Sequence, residues 1–190
     1  MIQKTRKTKE TDISIELEIY GTGKHDIDTG IGFFDHMLGS FAKHSLFDLK
    51  IKANGDLNVD FHHTVEDVGI LLGECLKDSI YPINGIERFG DSVVTMDEAA
   101  VSVAIDLCNR FYLVYESIDS GKVGDFDIEL VEEFFRAFSL NSCINLHLTK
   151  LRGNNSHHII EASFKAVAVA LRRALSKNDR VEIPSTKGVL

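Results

Sequence analysis

The sequence predicts an α+β fold of internally duplicated half-domains, each a mostly antiparallel sheet with two helices, with the helices packed between the two sheets. Three observations predict it. A five-residue motif occurs twice, the segments around it recur in the same order, and apolar residues alternate between strand-like and helix-like periods. We expect a single domain over residues 1–190, built from repeats of about 1–88 and 89–190.

The repeated motif is His-His-x-x-Glu, at residues 62–66 and 157–161. Each copy opens a segment whose apolar residues recur at helical spacing, which predicts a motif on the first turn of an amphipathic helix. The apolar stripes consist of Val65, Val68, Leu72 and Leu76 in the first segment and of Ile160, Phe164, Val167 and Leu171 in the second.

The segments before each motif repeat as well. A helix is predicted over 31–43 and again over 127–140, and an extended stretch follows at 46–53 and at 144–148. Each half also begins with a strand-like alternation of apolar and polar residues. The apolar positions are Ile13, Ile15, Leu17 and Ile19, and then Val101, Val103, Ile105 and Leu107.

Composition excludes several classes of partner. The net charge is −8, from 21 Lys and Arg against 29 Asp and Glu, and the only basic run is 4–9, so no nucleic-acid partner is expected. A phosphate ligand remains possible because it needs only a few local cations. There is no apolar run of membrane-spanning length and no secretory signal region, and the three cysteines lack metal-type spacing. We therefore expect a cytoplasmic protein without a membrane partner.

The motif suits a metal ion. Residues four apart share a helix face, so His62 and Glu66 can bind one cation together, as can His157 and Glu161. The second histidine of each pair points about 100° away, toward another site. One such pair would be compatible with a structural role, but two pairs with glutamate at the same offset favour metal binding. Imidazole and carboxylate suit Mn, Fe, Co, Ni or Zn.

Six stretches in order resemble the imidazoleglycerol-phosphate dehydratase family over essentially the whole chain. They are 29–38, 62–67, 85–90, 96–99, 153–166 and 184–188, and the first reads Thr-Gly-Ile-Gly-Phe-Phe-Asp-His-Met-Leu. No stretch matches the phosphatase domain of bifunctional members, so the monofunctional form is expected. The resemblance implies a homo-oligomer, a 24-mer with active sites at subunit junctions, and two Mn²⁺ per active site, with other divalent metals possible.

The resemblance also implies the metal ligands. Glu133 stands where family members commonly carry histidine, which leaves the metal preference at that position open. A second departure is Cys-Asn-Arg-Phe at 108–111, where the family usually has Ser-Gly-Arg-Pro. Because Gly and Pro set special backbone angles, this departure bears on the local turn. The implied ligands are His36, His62, His63, Glu66, Glu133, His157, His158 and Glu161.

The implied reaction is dehydration of D-erythro-imidazoleglycerol phosphate to imidazoleacetol phosphate in histidine biosynthesis, through a metal-bound imidazolate intermediate. A metal on the ring nitrogen acidifies the imidazole, as it does bound water. Glu10 is the favoured base for the C–H proton, with His44 a lesser candidate for the departing hydroxyl. The expected substrate contacts are Glu10, His36, His62, Arg88, Arg110, His157, Lys165, Ser185, Thr186 and Lys187.

Two other functions use the same histidines. A binuclear metal hydrolase would turn bound water into hydroxide, and a non-catalytic, metal-assembled shell protein would need the histidines alone. Single residues also have plainer interpretations. Arg88 and Arg110 suit structural ion pairs, Glu10 suits a surface position at a strand start, and Lys165 suits a solvated helix face.

Overall fold

The computed structural model describes residues 1–117 and 120–188. The first half of the chain forms three strands, a helix, a fourth strand and a second helix. These elements are β1 (Ile2–Lys7), β2 (Thr11–Glu18), β3 (His25–Asp28), α1 (Gly32–Ser45), β4 (Asp48–Gly55) and α2 (His62–Ile80).

The second half repeats this order, with a short hairpin inserted before its first helix. Its elements are β5 (Phe89–Met96), β6 (Ala99–Asp106), β7 (Tyr112–Glu116), β8 (Lys122–Val123), β9 (Phe126–Asp127), α3 (Glu129–Ser142), β10 (Asn145–Arg152) and α4 (Ser156–Ala174). Helices α1 and α3 both have 14 residues, and α2 and α4 both have 19. Equal helices in equal order confirm the duplication.

Each half forms one four-stranded sheet. The strand orders are β1-β2-β4-β3 and β5-β6-β10-β7, and in each sheet the last strand pairs parallel while the other pairs are antiparallel. The predicted fold class is confirmed. The boundary between the repeats at about residue 88 stays a prediction.

The predictions for α1, α3 and the strands that follow them begin one or two residues too early. Helix α1 continues to Ser45 and ends at Leu46, whose φ of 64° is left-handed, so β4 starts only at Asp48. In the second half, Phe126 and Asp127 pair in the small hairpin, which delays α3 to Glu129. Backbone pairing and a left-handed helix end set these limits, and neither follows from apolar periodicity.

The helices form a layer between the sheets. Helix α2 packs on β1 and β2, and α4 packs on β5 and β6. Across the halves, α1 packs on α4 and α2 packs on α3. The phenylalanines that join the halves are fully buried and lie in edge-to-face or stacked pairs. The edge-to-face pairs Phe34–Phe134 and Phe41–Phe138 connect the two halves, and Phe134 also stacks on Phe164 within the second half. None of the described helices is long and apolar enough to cross a membrane.

Two glycines of α2 allow close contact with α3. A Cβ atom on Gly73 would lie 2.6 Å from the Phe138 carbonyl oxygen, and one on Gly69 would lie 2.9 Å from the Phe134 carbonyl oxygen. The obstacle in both cases is backbone, which cannot rotate away. The helix contact that joins the two halves therefore requires glycine at these positions.

We expect Gly73→Ala to lower the free energy of unfolding by roughly 1–3 kcal/mol, because the added methyl overpacks the α2–α3 contact. Chemical denaturation at fixed protein concentration measures the change. Gly32→Ala is the control, since a Cβ there meets nothing within 4 Å and alanine favours the helix. Equal stability of the two variants would contradict the packing argument.

Candidate active site

The contact between α1 and α4 brings together a metal-type cluster. His36 of α1 lies with its Nε2 3.4 Å from Glu161 Oε2, and His157 lies with its Nε2 3.2 Å from the same oxygen. One ligand atom from each residue lies within 4.8 Å of the other two. In the part of the chain that the structure describes, it is the one group of three such side chains. Two imidazoles and a carboxylate form a donor set that suits a divalent transition metal.

The carboxylate of this cluster is buried but kept ionised. The Glu161 side chain is 8 % exposed, and Lys165 Nζ lies 2.6 Å from its Oε1. Burial acts to raise the pKa of Glu161, but the hydrogen bond and charge of Lys165, together with His36, outweigh it and lower that pKa. Lys165 is therefore a partner of Glu161 rather than a solvated helix residue.

His44 lies in the same electrostatic neighbourhood. Its pKa is lowered, first by burial and then by the positive charges of Lys165 and Arg172. Its backbone carbonyl also accepts a hydrogen bond from Arg172 Nη1 at 3.0 Å. A neutral imidazole beside a cation can accept or pass on a proton, which is what the predicted minor role requires.

Both motifs stand at the first turn of a helix, as predicted. In α4, the Asn155 side chain caps the helix and accepts hydrogen bonds from the backbone N–H groups of His157 and His158. In α2, Asp60 Oδ1 accepts from the backbone N–H of His62 at 2.8 Å. These bonds fix the backbone that carries the histidines.

The two histidines of each motif point in different directions. The ring planes of His62 and His63 are 87° apart, and those of His157 and His158 are 78° apart. The first ring of each pair turns its Nε2 toward the glutamate four residues later. The distance from this Nε2 to the glutamate Oε2 is 3.9 Å for Glu66 and 3.2 Å for Glu161. The second ring turns away from it, as the helical geometry requires.

Each second histidine meets a carboxylate from a turn, which follows β4 in the first half and joins β5 to β6 in the second. His63 Nδ1 lies 3.0 Å from Asp56 Oδ2, and this hydrogen bond raises the pKa of His63. His158 Nδ1 lies 2.8 Å from Glu98 Oε2. That bond, followed by the Asn155 backbone N–H, lowers the pKa of Glu98 to about 2.

Sequence reasoning missed Asp56 and Glu98. Glu98 lies within the stretch 96–99 that resembles the family, which was the available signal, whereas Asp56 had none. Asp35, the residue before His36, accepts hydrogen bonds at its Oδ1 from the Thr29 backbone N–H and hydroxyl. It stabilises the turn before α1.

Glu10 faces the first motif. It lies in the turn between β1 and β2, its side chain is 54 % exposed, and its Oε2 is 3.9 Å from His63 Nδ1. Its backbone N–H donates to the Thr8 hydroxyl at 3.0 Å, which shapes the turn. The carboxylate is thus near a candidate metal ligand without being held by a short hydrogen bond to it.

Glu133 occupies in α3 the place that His36 occupies in α1, the fifth residue of the helix. Helix α3 packs on α2, which carries His62 and Glu66, just as α1 packs on α4. The Glu133 side chain is half-buried. Among the described residues it joins no group of three metal-type side chains.

The residues expected to bind phosphate are dispersed. Arg88 donates from Nε and Nη2 to the two oxygens of Asp106 at 2.7 and 3.0 Å, and from Nη1 to the Pro184 carbonyl at 2.7 Å. It thus forms the structural ion pair and also ties the C-terminal segment that holds Ser185, Thr186 and Lys187. Arg110 is exposed, after a turn in which Asn109 has a φ of 54°. Asparagine tolerates this left-handed conformation, so the turn forms without the glycine usual in the family.

The fold and the cluster define a class: a duplicated α+β protein with a histidine–carboxylate metal-type site between its halves. The family model for imidazoleglycerol-phosphate dehydratase matches residues 29–171, and the chain belongs to that family. The imidazoleglycerol-phosphate dehydratase of Campylobacter hominis is 70 % identical over 190 residues, which cover 100 % of both chains. That of Sulfurimonas denitrificans is 62 % identical with the same coverage.

Solved structures agree with the sequence comparison. The crystal structure of imidazoleglycerol-phosphate dehydratase from Staphylococcus aureus matches with a TM-score of 0.82 and 41 % identity, over 93 % of this chain and 98 % of that one. The structure of IGPD from Pyrococcus furiosus, in complex with (S)-C348, matches with a TM-score of 0.85 and 37 % identity, over 98 % and 100 %. The predicted family, fold class and enzyme class, a lyase of histidine biosynthesis, are confirmed.

Proposed function

We propose that this chain dehydrates D-erythro-imidazoleglycerol phosphate to imidazoleacetol phosphate with divalent ions held by its histidine–carboxylate groups. The observation that carries the proposal is the cluster of His36, His157 and Glu161 in a chain of this dehydratase family. The donor set fits a divalent ion, and the ionised, buried Glu161 supplies its negative charge.

The duplication suggests a second group. The first consists of His36, His157 and Glu161, and its counterpart in the repeat would draw on Glu133 of α3 and on His62 and Glu66 of α2, which do not meet as a group of three among the described residues of one chain. We propose two Mn²⁺ per active site, although other divalent metals suit the same donors. Bound there, the ion supplies Lewis acidity toward the imidazole of the substrate. The proposed ligands are His36, His62, His63, Glu66, Glu133, His157, His158 and Glu161.

The remaining chemistry falls to side chains of the chain. Glu10, exposed and near His63, is the proposed base that takes the C–H proton. His44, whose pKa is lowered by burial and by Lys165, is the proposed group for the departing hydroxyl, to which its protonated form would give a proton so that water leaves. The proposed phosphate contacts are Arg88, Arg110, Lys165, Ser185, Thr186 and Lys187. Among the described residues, Arg88 uses three of its five N–H donors, which leaves two to offer to a ligand.

The incomplete second group supports a site shared between copies of the chain. Within the described residues of one chain, His62 and Glu66 form a pair without a third metal-type side chain near them. We therefore propose a homo-oligomer, a 24-mer, in which another copy completes the His62–Glu66 pair at a subunit junction.

The three cysteines are unpaired, which supports a reducing compartment such as the cytoplasm.

The decisive experiment uses metal-stripped protein. We expect imidazoleacetol phosphate to form from imidazoleglycerol phosphate when Mn²⁺ is added back and not without it. Each assay includes light scattering to show that the protein is folded and assembled. Release of inorganic phosphate would favour the metal hydrolase instead. No product with any divalent ion, in folded and assembled protein, would contradict the dehydratase and leave the non-catalytic shell protein.

A further inference from the structure

Glu98, a carboxylate in a surface turn, is held by hydrogen bonds to both of its oxygens. Its Oε2 lies 2.8 Å from His158 Nδ1, and its Oε1 accepts from the backbone N–H groups of Asn154 and Asn155 at 3.3 and 2.9 Å. The two oxygens therefore connect the β5–β6 turn to the beginning of α4. This arrangement fixes both the position and the rotation of the carboxylate.

The contact decides which nitrogen of His158 carries hydrogen. A carboxylate only accepts hydrogen bonds, so Nδ1 must be the donor, and in the neutral ring, the form that binds a metal, Nε2 keeps its lone pair. The amide of Asn155 agrees with this. Its oxygen caps α4, and its Nδ2 lies 3.5 Å from His158 Nε2, facing it as a donor. The nearest other carboxylate, Asp97, is 3.8 Å from Nε2, beyond hydrogen-bond distance.

We propose that Glu98 is a positioning residue, which keeps His158 in the tautomer and orientation that present the Nε2 lone pair to a divalent ion. The inference rests on the proposed function, in which His158 is a ligand. A carboxylate that accepts from the other ring nitrogen fixes the direction of a ligand histidine and raises its basicity.

The first half reaches the same result with a different residue. Both oxygens of Asp56 lie near His63 Nδ1, at 3.0 and 3.2 Å, and Asp56 directly follows β4. The first-half turn that corresponds to the Glu98 turn, between β1 and β2, carries Glu10, which remains 3.9 Å from His63 Nδ1. Because Asp56 orients His63, Glu10 is left free to exchange a proton, whereas Glu98 is committed to its hydrogen bonds.

Glu98→Gln tests the proposal with an isosteric change. The glutamine oxygen keeps the two backbone bonds, so its NH₂ group faces His158 Nδ1 and moves the ring hydrogen to Nε2, where it blocks the lone pair. We expect Mn²⁺ binding, measured by equilibrium dialysis, to weaken by about 10–100-fold at one class of site. Electron spin-echo spectroscopy of bound Mn²⁺ is expected to lose the modulation of one imidazole.

Asp56→Asn gives a matched comparison. In the described part of the chain, the Asp56 side chain bonds only to His63, so the asparagine can rotate its oxygen toward Nδ1. We therefore expect Asp56→Asn to lose less Mn²⁺ affinity than Glu98→Gln. Glu98→Asp, which retains the carboxylate acceptors, is also expected to lose less Mn²⁺ affinity than Glu98→Gln. Glu16→Gln, in an exposed pair with Lys50, is expected to change nothing.

Three outcomes would overturn the proposal; the first two leave the proposed function standing, and only the third contradicts both. Mn²⁺ binding by Glu98→Gln with wild-type affinity and wild-type spin-echo modulation would exclude the positioning role. So would a loss of affinity in Glu98→Asp equal to that in Glu98→Gln. A wild-type protein that binds no divalent ion would contradict both the metal-dependent function and this inference.

Discussion

Replacement of Glu161 by glutamine is expected to lower turnover by about 10³-fold or more. The carboxylate is buried, contacts both His36 and His157, and is kept ionised by Lys165. The amide removes the negative charge around which the proposed metal group is built. Lewis-acid stabilisation amounts to several kcal/mol, and each 1.36 kcal/mol corresponds to tenfold in rate.

Metal content and activity together check this prediction. We expect Glu161→Gln to bind less Mn²⁺ at equilibrium and to recover part of its turnover only at high Mn²⁺. Glu16→Gln, which loses a partly exposed carboxylate on β2, serves as the control and keeps both quantities. Wild-type turnover in Glu161→Gln would show that the cluster is a structural ion network rather than a metal site.

The second large effect is expected for Glu10→Gln, with a loss of about 10²–10⁴ in kcat, the contribution typical of a positioned acid–base group. Glu10 is half exposed and lies 3.9 Å from His63 Nδ1, so its amide analogue leaves the fold intact. KM and Mn²⁺ content are expected to change little. The amide removes only the base, and it leaves the metal ligands and the phosphate contacts in place.

Steady-state kinetics with parallel metal analysis separate these effects. Asp12→Asn is the matched control, since Asp12 lies across the same turn and pairs with Lys7 at the surface. A loss smaller than tenfold in kcat for Glu10→Gln would remove Glu10 from the mechanism. A parallel loss of Mn²⁺ would instead assign Glu10 to the metal site.

The sequence by itself determined the duplication, the four long helices, the main strands and the position of both motifs. These features depend on local spacing. Apolar residues at periods of two and 3.6 specify which face of a strand or helix is buried, and four-residue spacing puts His157 and Glu161 on one face. Such patterns survive in any tertiary arrangement, which is why the structure repeats them with shifts of about two residues.

Only the tertiary structure decided which helix lies on which. His36 meets His157 and Glu161 because α1 packs on the helix of the opposite half, and no pattern within α1 specifies that choice. The partners of the second histidines, Asp56 and Glu98, come from turns that periodicity does not describe. Two features fix these distances: the phenylalanines that pack between the halves, and the turns that end the strands. The distances therefore depend on contacts between segments far apart in the chain.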